Sequence, residues 1–353
     1  MISDRLKKTL QMVAPGTQLH EGLENILRAR TGGLIVVGDT PEVLALVNGG
    51  FRLDSDFSPF ALYELAKMDG AIILSSDGEK ILYANAHLNP DQTIPSRETG
   101  MRHSTAERVA KMTGQLVIAI SQRRSVITLY SGHTRYVMQD IGVVLAKANQ
   151  ALQTLANYRD SLQRALTGLT SLEFVEEVTL ADVARVLQRY ELMRRVSEEV
   201  GGYIIELGTE GRLVQMQAEE LLAGMADEVF FVVLDYSADG SQAESRKVLE
   251  SLAEWDFDDV LDLAAIARAL SRGSGASLEH PVSPRGYRAL SKISRLPMSV
   301  IQNVVAGFGS LKAIRGASVE ELDEVEGIGE VRARAVSEGL ERLRDQAMTS
   351  ATP

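Results

Sequence analysis

The stretch Lys67-Met68-Asp69-Gly70-Ala71-Ile72-Ile73-Leu74 joins the end of a predicted helix to a short apolar run. A run that is apolar on both faces is typical of a strand in a sheet covered by helices. Asp-Gly is the commonest turn dipeptide, and Asp77-Gly78 is interpreted as a hairpin turn. Asp69 instead lies between a helix and an apolar strand, so we expect its carboxylate at an edge of the sheet, where it can bind a divalent metal.

Similar apolar runs recur through the first 140 residues and alternate with helical stretches. The predicted strands are 34–37, 71–74, 81–84, 116–120, 126–130 and 136–138, and the predicted helices are 6–13, 23–30, 42–47, 60–67 and 104–112. Because Asp77-Gly78 and Ser131-Gly132 predict hairpins between neighbouring strands, the sheet is expected to be mixed. We therefore predict an α/β domain over residues 1–141.

A second informative stretch is Thr99-Gly100-Met101-Arg102-His103-Ser104-Thr105-Ala106-Glu107-Arg108. Ser104 and Glu107 have the spacing of a capping box, which predicts that a helix begins there, directly after Arg102 and His103. Cations beside the positive end of a helix dipole are unfavourable by a few tenths to about 1 kcal/mol each. A phosphate group at the helix N-terminus removes this conflict, so together with Asp69 the stretch predicts a nucleoside triphosphate site.

Ser121-Gln122-Arg123-Arg124 is a third basic element and directly follows a predicted strand. The simpler interpretation is a solvated turn between two strands. The functional alternative is that Arg123 or Arg124 binds the β- and γ-phosphates. Residues 85–90 predict a loop in which Leu88 packs on the base.

Residues 142–282 predict a mostly helical region without a catalytic constellation, best interpreted as a scaffold. A long helix is expected from Gly142, and Thr179 with Asp182 predicts the cap of another helix that ends at Gly201-Gly202. Residues 203–207 and 229–234 are predicted as short strands. The composition of 272–277 is typical of a linker.

From residue 283 onward a weak repeat at an offset of 32 predicts two helix-turn-helix units. In the second unit, Gly327-Ile328-Gly329 lets backbone N–H groups approach a phosphate, and Arg332 follows on the next helix. The first unit has Arg295-Leu296-Pro297 at this place. Residues 283–316 hold six Lys or Arg and no acid, which makes Arg285, Arg288 and Lys292 candidate DNA contacts.

The overall composition limits the classes of protein. A net charge of −11 argues against nucleic-acid binding by the whole surface, and the absence of cysteine excludes disulfides and thiolate chemistry. No apolar run approaches the roughly 18 residues of a membrane span. We expect a cytoplasmic protein without a membrane partner.

The order and spacing of three elements resemble the family of DNA integrity scanning proteins, which are bacterial diadenylate cyclases. These elements are Asp69-Gly70-Ala71, Gly100-Met101-Arg102-His103-Ser104 and Ser283-Pro284-Arg285-Gly286-Tyr287-Arg288. The resemblance spans essentially the whole chain. It departs at Met101 and Ser104, where the family has threonine and arginine. Loss of one phosphate-binding arginine can cost about 1.5–3 kcal/mol of charge-assisted bonding.

The resemblance implies condensation of two ATP molecules into cyclic di-AMP, with Mg²⁺ or Mn²⁺, between facing subunits of an octamer. It also implies that branched DNA bound to a C-terminal helix-hairpin-helix domain represses synthesis. A DNA-binding protein of this kind is expected to be associated with the nucleoid. Asp69 would bind the metal that bridges the α-phosphate and the attacking 3′-hydroxyl; whether it also takes the proton stays open. The implied ATP-binding residues are Gly70, Ala71, Leu88, Met101, Arg102, His103, Ser104, Thr105, Ser121, Arg123 and Arg124.

The sequence thus predicts three domains: a cyclase domain at 1–141, a helical scaffold at 142–282 and a DNA-binding domain at 283–353. The alternative is a DNA-structure-binding scaffold whose nucleotide domain is weakened or inactive. Met101 and Ser104 are the residues that favour this alternative.

Overall fold

The first part of the chain folds around an eight-stranded mixed sheet, in a computed structural model that describes residues 4–271 and 277–350. The strands are β1 Gly33–Val37, β2 Val47–Asn48, β3 Phe51–Asp56, β4 Ala71–Leu74, β5 Lys80–Leu88, β6 Leu116–Ser121, β7 Val126–Ser131 and β8 Thr134–Val137. The helices around them are α1 Asp4–Val13, α2 Gln18–Arg28, α3 Pro41–Leu44, α4 Pro59–Leu65 and α5 Met101–Thr113. The prediction of an α/β domain is confirmed.

Helices cover both faces of this sheet, as the apolar runs predicted. In β1, Ile35 and Val37 pack with residues of α1, α2 and α4, whereas Leu34 and Val36 pack with residues of α3 and α5. Alternate side chains of one strand therefore enter two different cores. This explains why the strand is apolar at every position.

The sheet has the order β2-β5-β4-β1-β6-β7-β8, and β3 also pairs with β5. β1 and β4 are parallel, and the other pairs are antiparallel. Gly33 pairs with Ile120, and Ala71 pairs with Ala86. The starts of β1 and β4 and the ends of β5 and β6 consequently lie side by side. We call this row of strand termini the Gly33 edge of the sheet.

The rest of the described chain is helical. Its helices are α6 Ile141–Val175, α7 Leu180–Leu207, α8 Arg212–Leu222, α9 Met225–Tyr236, α10 Gln242–Glu254, α11 Phe257–Leu261, α12 Leu263–Ser271, α13 Tyr287–Ser291, α14 Met298–Phe308, α15 Leu311–Gly316, α16 Val319–Asp323 and α17 Glu330–Ser350. A short 3₁₀ turn, Gly208–Gly211, follows α7. In the described part of the chain, no helix is both long and apolar enough to cross a bilayer.

Three expectations for the middle region are wrong or fall outside the described residues. The strands predicted at 203–207 and 229–234 are parts of α7 and α9, because a short apolar run fits a buried helix as well as a strand. Gly201-Gly202 does not end α7, which continues to Leu207. Residues 272–276 of the predicted linker lie outside the described residues.

The predicted contact at the start of α7 is present, since Thr179 Oγ1 donates to Asp182 Oδ2 at 2.6 Å. The Cα positions group into two compact units, Met1–Ala151 with Glu198–Met216 and Leu152–Ser197 with Gln217–Pro353. The division into three domains stays a prediction.

The repeated C-terminal helices enclose a core of their own. Ile301, Val304, Ala333 and Val336, which the repeat aligns in pairs, are all at most 2% exposed. Equivalent positions of the two units thus face the same interior.

Candidate functional site

The Gly33 edge brings together the three stretches that the sequence singled out. Asp69 and Gly70 directly precede β4, and the turn at 122–125 joins β6 to β7. The N-terminus of α5 comes to the same edge, because α5 leads through Gly114 into the opposite end of β6. Leu88 also lies there, at the end of β5, rather than in the predicted loop.

Gly70 fits closely against the backbone of Asn85. Its N–H donates to Asn85 Oδ1 at 3.1 Å, and a Cβ added to Gly70 would lie 2.3 Å from the carbonyl carbon of Asn85. Asn85 itself has φ +52°, where the pairing of β4 with β5 becomes irregular. A larger residue than glycine would push the strands apart, so Gly70 sets the position of the preceding Asp69.

Asp69 extends its carboxylate into solvent and lies near one arginine. Its side chain is fully exposed, and Oδ1 lies 3.8 Å from Arg102 Nη2. Ion pairs at such exposed positions are weak, so the carboxylate stays available to a ligand. The described residues contain no cluster of three or more His, Asp or Glu that could hold a metal by themselves. Mg²⁺ is usually held by one or two carboxylates together with substrate phosphates, so Asp69 fits a metal that arrives with a nucleotide.

Gly32 is a site residue that the sequence reasoning missed. A Cβ at Gly32 would lie 1.9 Å from Arg102 Nη1, so the guanidinium occupies the space that a side chain would fill. The paired glycines Gly32 and Gly33 at the start of the first strand were the available signal.

The helix α5 begins earlier than predicted. Gly100 is its N-cap, no side chain caps it in the described chain, and Ser104 Oγ donates to Met101 O at 3.0 Å from within the first turn. Glu107 does not reach back to Ser104. The predicted capping box is therefore wrong, and Arg102 and His103 lie inside the first turn of the helix, at its positive end.

Glu107 instead fastens the loop that precedes α5. It accepts from Ser96 Oγ at 2.6 Å and from the N–H of Arg97 at 3.0 Å, and it pairs with Lys111 at 2.7 Å. Arg108 Nε also donates to the carbonyl of Ile94 at 2.9 Å. These bonds hold the loop, and with it Glu98, against α5.

A chain of four polar side chains links His103 to Arg135. Its Nδ1 lies 3.0 Å from the Tyr130 hydroxyl, which donates to Glu98 Oε1 at 2.9 Å, and Arg135 Nε donates to the same oxygen at 2.6 Å. Glu98, Tyr130 and Arg135 were not predicted, because none of them matches a motif and because Tyr130 and Arg135 are distant from His103 in sequence.

The charges along this chain shift its pKa values. Burial lowers the pKa of His103, and the charges of Arg102, Arg135 and Arg124 lower it further against the opposing effect of Glu98. Burial raises the pKa of Glu98, but the hydrogen bonds from Arg135 and Tyr130 outweigh it and the net pKa is lowered. Glu98 is therefore ionised at neutral pH.

The other predicted nucleotide-binding residues lie around this cluster. Met101 is 87% exposed, and Ser104 and Thr105 are half-buried on the first turns of α5. Arg123 and Arg124 are exposed in the turn after β6, where the N–H of Arg124 donates to Ser121 Oγ at 3.3 Å. Leu88 packs partly against the sheet core. Their roles toward a nucleotide stay predictions.

The basic stretch of the C-terminal region was predicted to contact DNA. The structure contradicts this for Arg288, which is buried, whereas Arg285 and Lys292 are not buried and their roles toward DNA stay predictions. Arg288 is 1% exposed and pairs with Glu173, and Lys292 pairs with Glu228 at 2.8 Å. Arg285 donates to backbone carbonyls of Leu234, Asp235 and Ala238 at 3.1, 2.9 and 3.2 Å. These contacts join the basic stretch to α6, α9 and the residues after α9, because those segments present carboxylates and carbonyls.

Further contacts fasten the same stretch. Asp235 accepts from the N–H groups of Gly286, Tyr287 and Arg288 at 2.7, 2.7 and 3.0 Å. Burial, followed by the charge of Glu173, raises the pKa of Asp235 to about 7. Lys312 pairs with Glu176 at 2.6 Å. Three of the six cations of this stretch, Arg288, Lys292 and Lys312, are therefore paired with carboxylates of the same compact unit.

The two hairpins that join the repeated helices share one backbone conformation. Arg295 has φ +63° and Gly327, at the equivalent position of the second unit, has φ +87°. Arg295 is exposed, whereas Ile328 is buried and Arg332 Nη1 donates to the carbonyl of Gly327 at 2.6 Å. A Cβ at Gly329 would meet open space.

Two segments of the chain match models of known protein families. Residues 20–135 match the family model described as DisA bacterial checkpoint controller nucleotide-binding, and residues 138–278 match the one described as DisA bacterial checkpoint controller linker region. Among solved structures, a double-mutant form of DacA from Staphylococcus aureus is 22% identical, with a TM-score of 0.30, over 39% of this chain and 91% of that chain.

Two relatives are similar over nearly their full length. The DNA integrity scanning protein DisA of Carboxydothermus hydrogenoformans is 58% identical over 347 residues, covering 98% of this chain and 99% of the relative. The protein of the same name from Bacillus subtilis is 52% identical over 341 residues, covering 97% and 94%. Similarity of this extent is enough to assign the family.

Proposed function

Because this chain belongs to the family of DNA integrity scanning proteins DisA, it is a diadenylate cyclase, a nucleotidyltransferase, and we propose that it joins two ATP molecules into cyclic di-AMP at the Gly33 edge. One observation carries the proposal. An exposed carboxylate, Asp69, lies beside Arg102 at the uncapped start of α5. This arrangement offers cations and free N–H groups to phosphates and a carboxylate to their metal.

The protein residues act mainly by positioning and by neutralising charge. Arg102, His103 and the first N–H groups of α5 bind the triphosphate, and Arg123 and Arg124 reach it from the turn after β6. When bound, Mg²⁺ or Mn²⁺ polarises phosphoryl oxygens, and Asp69 together with the substrate phosphates would hold it. Each 3′-hydroxyl forms a bond to the α-phosphorus of the other ATP, and two pyrophosphates leave.

Two subunits are needed for this reaction. One site at the Gly33 edge binds one ATP, so the attacking hydroxyl and the α-phosphate must come from facing subunits. The complete exposure of Asp69 suits a residue that acts across such a gap. We propose an octamer that contains these facing pairs.

DNA binding belongs to the C-terminal hairpins rather than to the whole basic stretch. We propose that the segments around Arg295 and Gly327-Ile328-Gly329 contact the DNA backbone without reading base sequence, and that branched DNA bound there represses synthesis. Several copies in one oligomer would engage several DNA arms at once, which favours a junction over a linear duplex. With ATP and DNA as partners, the protein is proposed to act in the cytoplasm, beside the nucleoid.

The test is to incubate the purified full chain with ATP and Mn²⁺, to separate the products by chromatography and to identify them by mass. We expect cyclic di-AMP and pyrophosphate, at a rate that falls on addition of a four-way junction but not of an equal mass of linear duplex. A folded chain that binds junctions but forms no cyclic di-AMP would instead support the scaffold alternative, in which Met101 and Ser104 mark a decayed site.

A further inference from the structure

His103 is connected by hydrogen bonds to three side chains that have no role in the proposed reaction. Tyr130 lies on β7, Glu98 on the loop before α5 and Arg135 on β8, so three separate segments form the hydrogen-bond chain that ends on the imidazole. The rings of His103 and Tyr130 also meet edge to face, with centroids 6.2 Å apart. The ring is thus fixed by packing as well as by hydrogen bonds.

The ionised carboxylate of Glu98 determines which group donates in each hydrogen bond of this chain. Glu98 is ionised, so it only accepts, and both Arg135 and the Tyr130 hydroxyl donate to it. The hydroxyl has one proton, which is used in that bond. Its oxygen must therefore accept from His103, and the proton of the neutral imidazole lies on Nδ1.

We propose that Tyr130 and Glu98 are positioning residues that hold His103 with Nδ1–H turned inward and Nε2 turned toward the triphosphate. This inference rests on the proposed function. No residue in the part of the chain that the structure describes bonds to Nε2, so the outward nitrogen is available to a ligand. Arg102, the neighbour of His103, already lies at the Gly33 edge beside Asp69.

This arrangement couples nucleotide binding to the uptake of a proton by His103. The free imidazole is largely neutral at neutral pH, because burial and the charges of Arg102, Arg135 and Arg124 outweigh Glu98. A neutral Nε2 cannot donate to a phosphate oxygen, whereas a protonated one can. The arriving anion favours the imidazolium, and the inward bonds survive because they use only Nδ1–H. Binding should therefore take up a proton at Nε2.

The experiment measures binding of a non-reacting ATP analogue to the full chain by calorimetry, in two buffers of different ionisation enthalpy and across pH 5.5–8.5. The wild type should take up a fraction of a proton per nucleotide near neutral pH, and His103→Gln should take up none. Tyr130→Phe and Glu98→Gln should each weaken binding about three- to tenfold near neutral pH, and they should shift the uptake to lower pH.

Tyr136→Phe is the matched control, because Tyr136 is also hydrogen-bonded to a glutamate, Glu206, yet is not linked to His103. It should bind and take up protons as the wild type does. Unchanged affinity and unchanged proton uptake in both Tyr130→Phe and Glu98→Gln would overturn the inference, and so would persistent uptake in His103→Gln.

The behaviour of the wild type shows whether only the positioning role is wrong or the proposed function is wrong as well. If the wild type forms cyclic di-AMP while the variants behave as it does, only the positioning role falls. If the wild type neither binds the analogue nor forms product, both fall together. A merely structural role for Tyr130 would lower affinity equally at every pH, which would also contradict the inference.

Discussion

Arg288 and Glu173 form an ion pair in which both side chains are only 2% exposed. The Tyr236 hydroxyl donates to the other oxygen of Glu173 at 2.8 Å, and Glu228 lies 3.4 Å from Arg288. The arginine that ends the Ser283–Arg288 segment therefore connects α13 to α6 and α9. A residue that sequence reasoning assigned to DNA holds the fold together.

We expect Arg288→Ala to destabilise the C-terminal helices by about 3–5 kcal/mol, because it leaves the Glu173 charge buried without a partner. Urea unfolding followed by circular dichroism measures this change. Lys312→Ala is the control, since the Lys312–Glu176 pair is largely exposed, and it should cost at most about 1 kcal/mol. Equal costs for the two variants would contradict a buried role for Arg288.

Asp69→Asn should abolish cyclic di-AMP formation while leaving the fold and the oligomer unchanged. The amide has nearly the same shape but loses affinity for a divalent metal. Asp77→Asn provides the control, because it alters another Asp-Gly dipeptide, which lies at the opposite edge of the sheet. Turnover by folded Asp69→Asn protein, measured by chromatography, would remove Asp69 from the mechanism.

Ser104→Arg should raise the apparent affinity for ATP, because it adds a cation on the first turn of α5, beside Arg102 and His103. The gain should shrink at high salt, as expected for a charge that acts on a phosphate. Gln11→Arg adds the same charge on α1, on the other face of the sheet, and should change nothing. If Ser104→Arg leaves KM for ATP unaltered, Arg123 or Arg124 already fills this role.

Arg295→Gly should weaken junction binding without loss of stability. Arg295 adopts the left-handed conformation, which costs a non-glycine residue about 1–2 kcal/mol, and Gly327 adopts it freely. The variant thus removes strain and an exposed cation together. Gel shifts at two salt concentrations, with Arg342→Ala as a control for net charge, measure the binding. Unimpaired binding by folded Arg295→Gly would show that the first hairpin does not contact DNA.

The mixed sheet could be predicted because strand runs such as Ala71–Leu74 and Leu116–Ile120 must be apolar on both faces. The location of Asp69 at an edge followed from the same pattern. The helical state of 203–207 and 229–234 could not be predicted, because burial among other helices decides between helix and strand for short apolar runs.

The errors at the two candidate sites have a common physical cause. Glu107 has the spacing of a capping partner, yet Ser96 and Lys111 compete for it. Lys111 lies four residues further on the same helix, but the contact with Ser96 depends on how the preceding loop folds. Arginine is usually found at the surface, but Arg288 is buried because Glu173, 115 positions away, neutralises its charge. Local spacing cannot reveal partners that the fold supplies from elsewhere.

The first turn of α5 has backbone N–H groups that no side chain of the described residues caps. Gly100 gives it no side-chain cap, and the charge of Arg102 adds repulsion at its positive end. A bound triphosphate would finish this helix in the way that a capping residue finishes others. The substrate then acts as a structural element, and the amide hydrogens of residues 101–103 would exchange rapidly in the free protein and slowly once the site is filled.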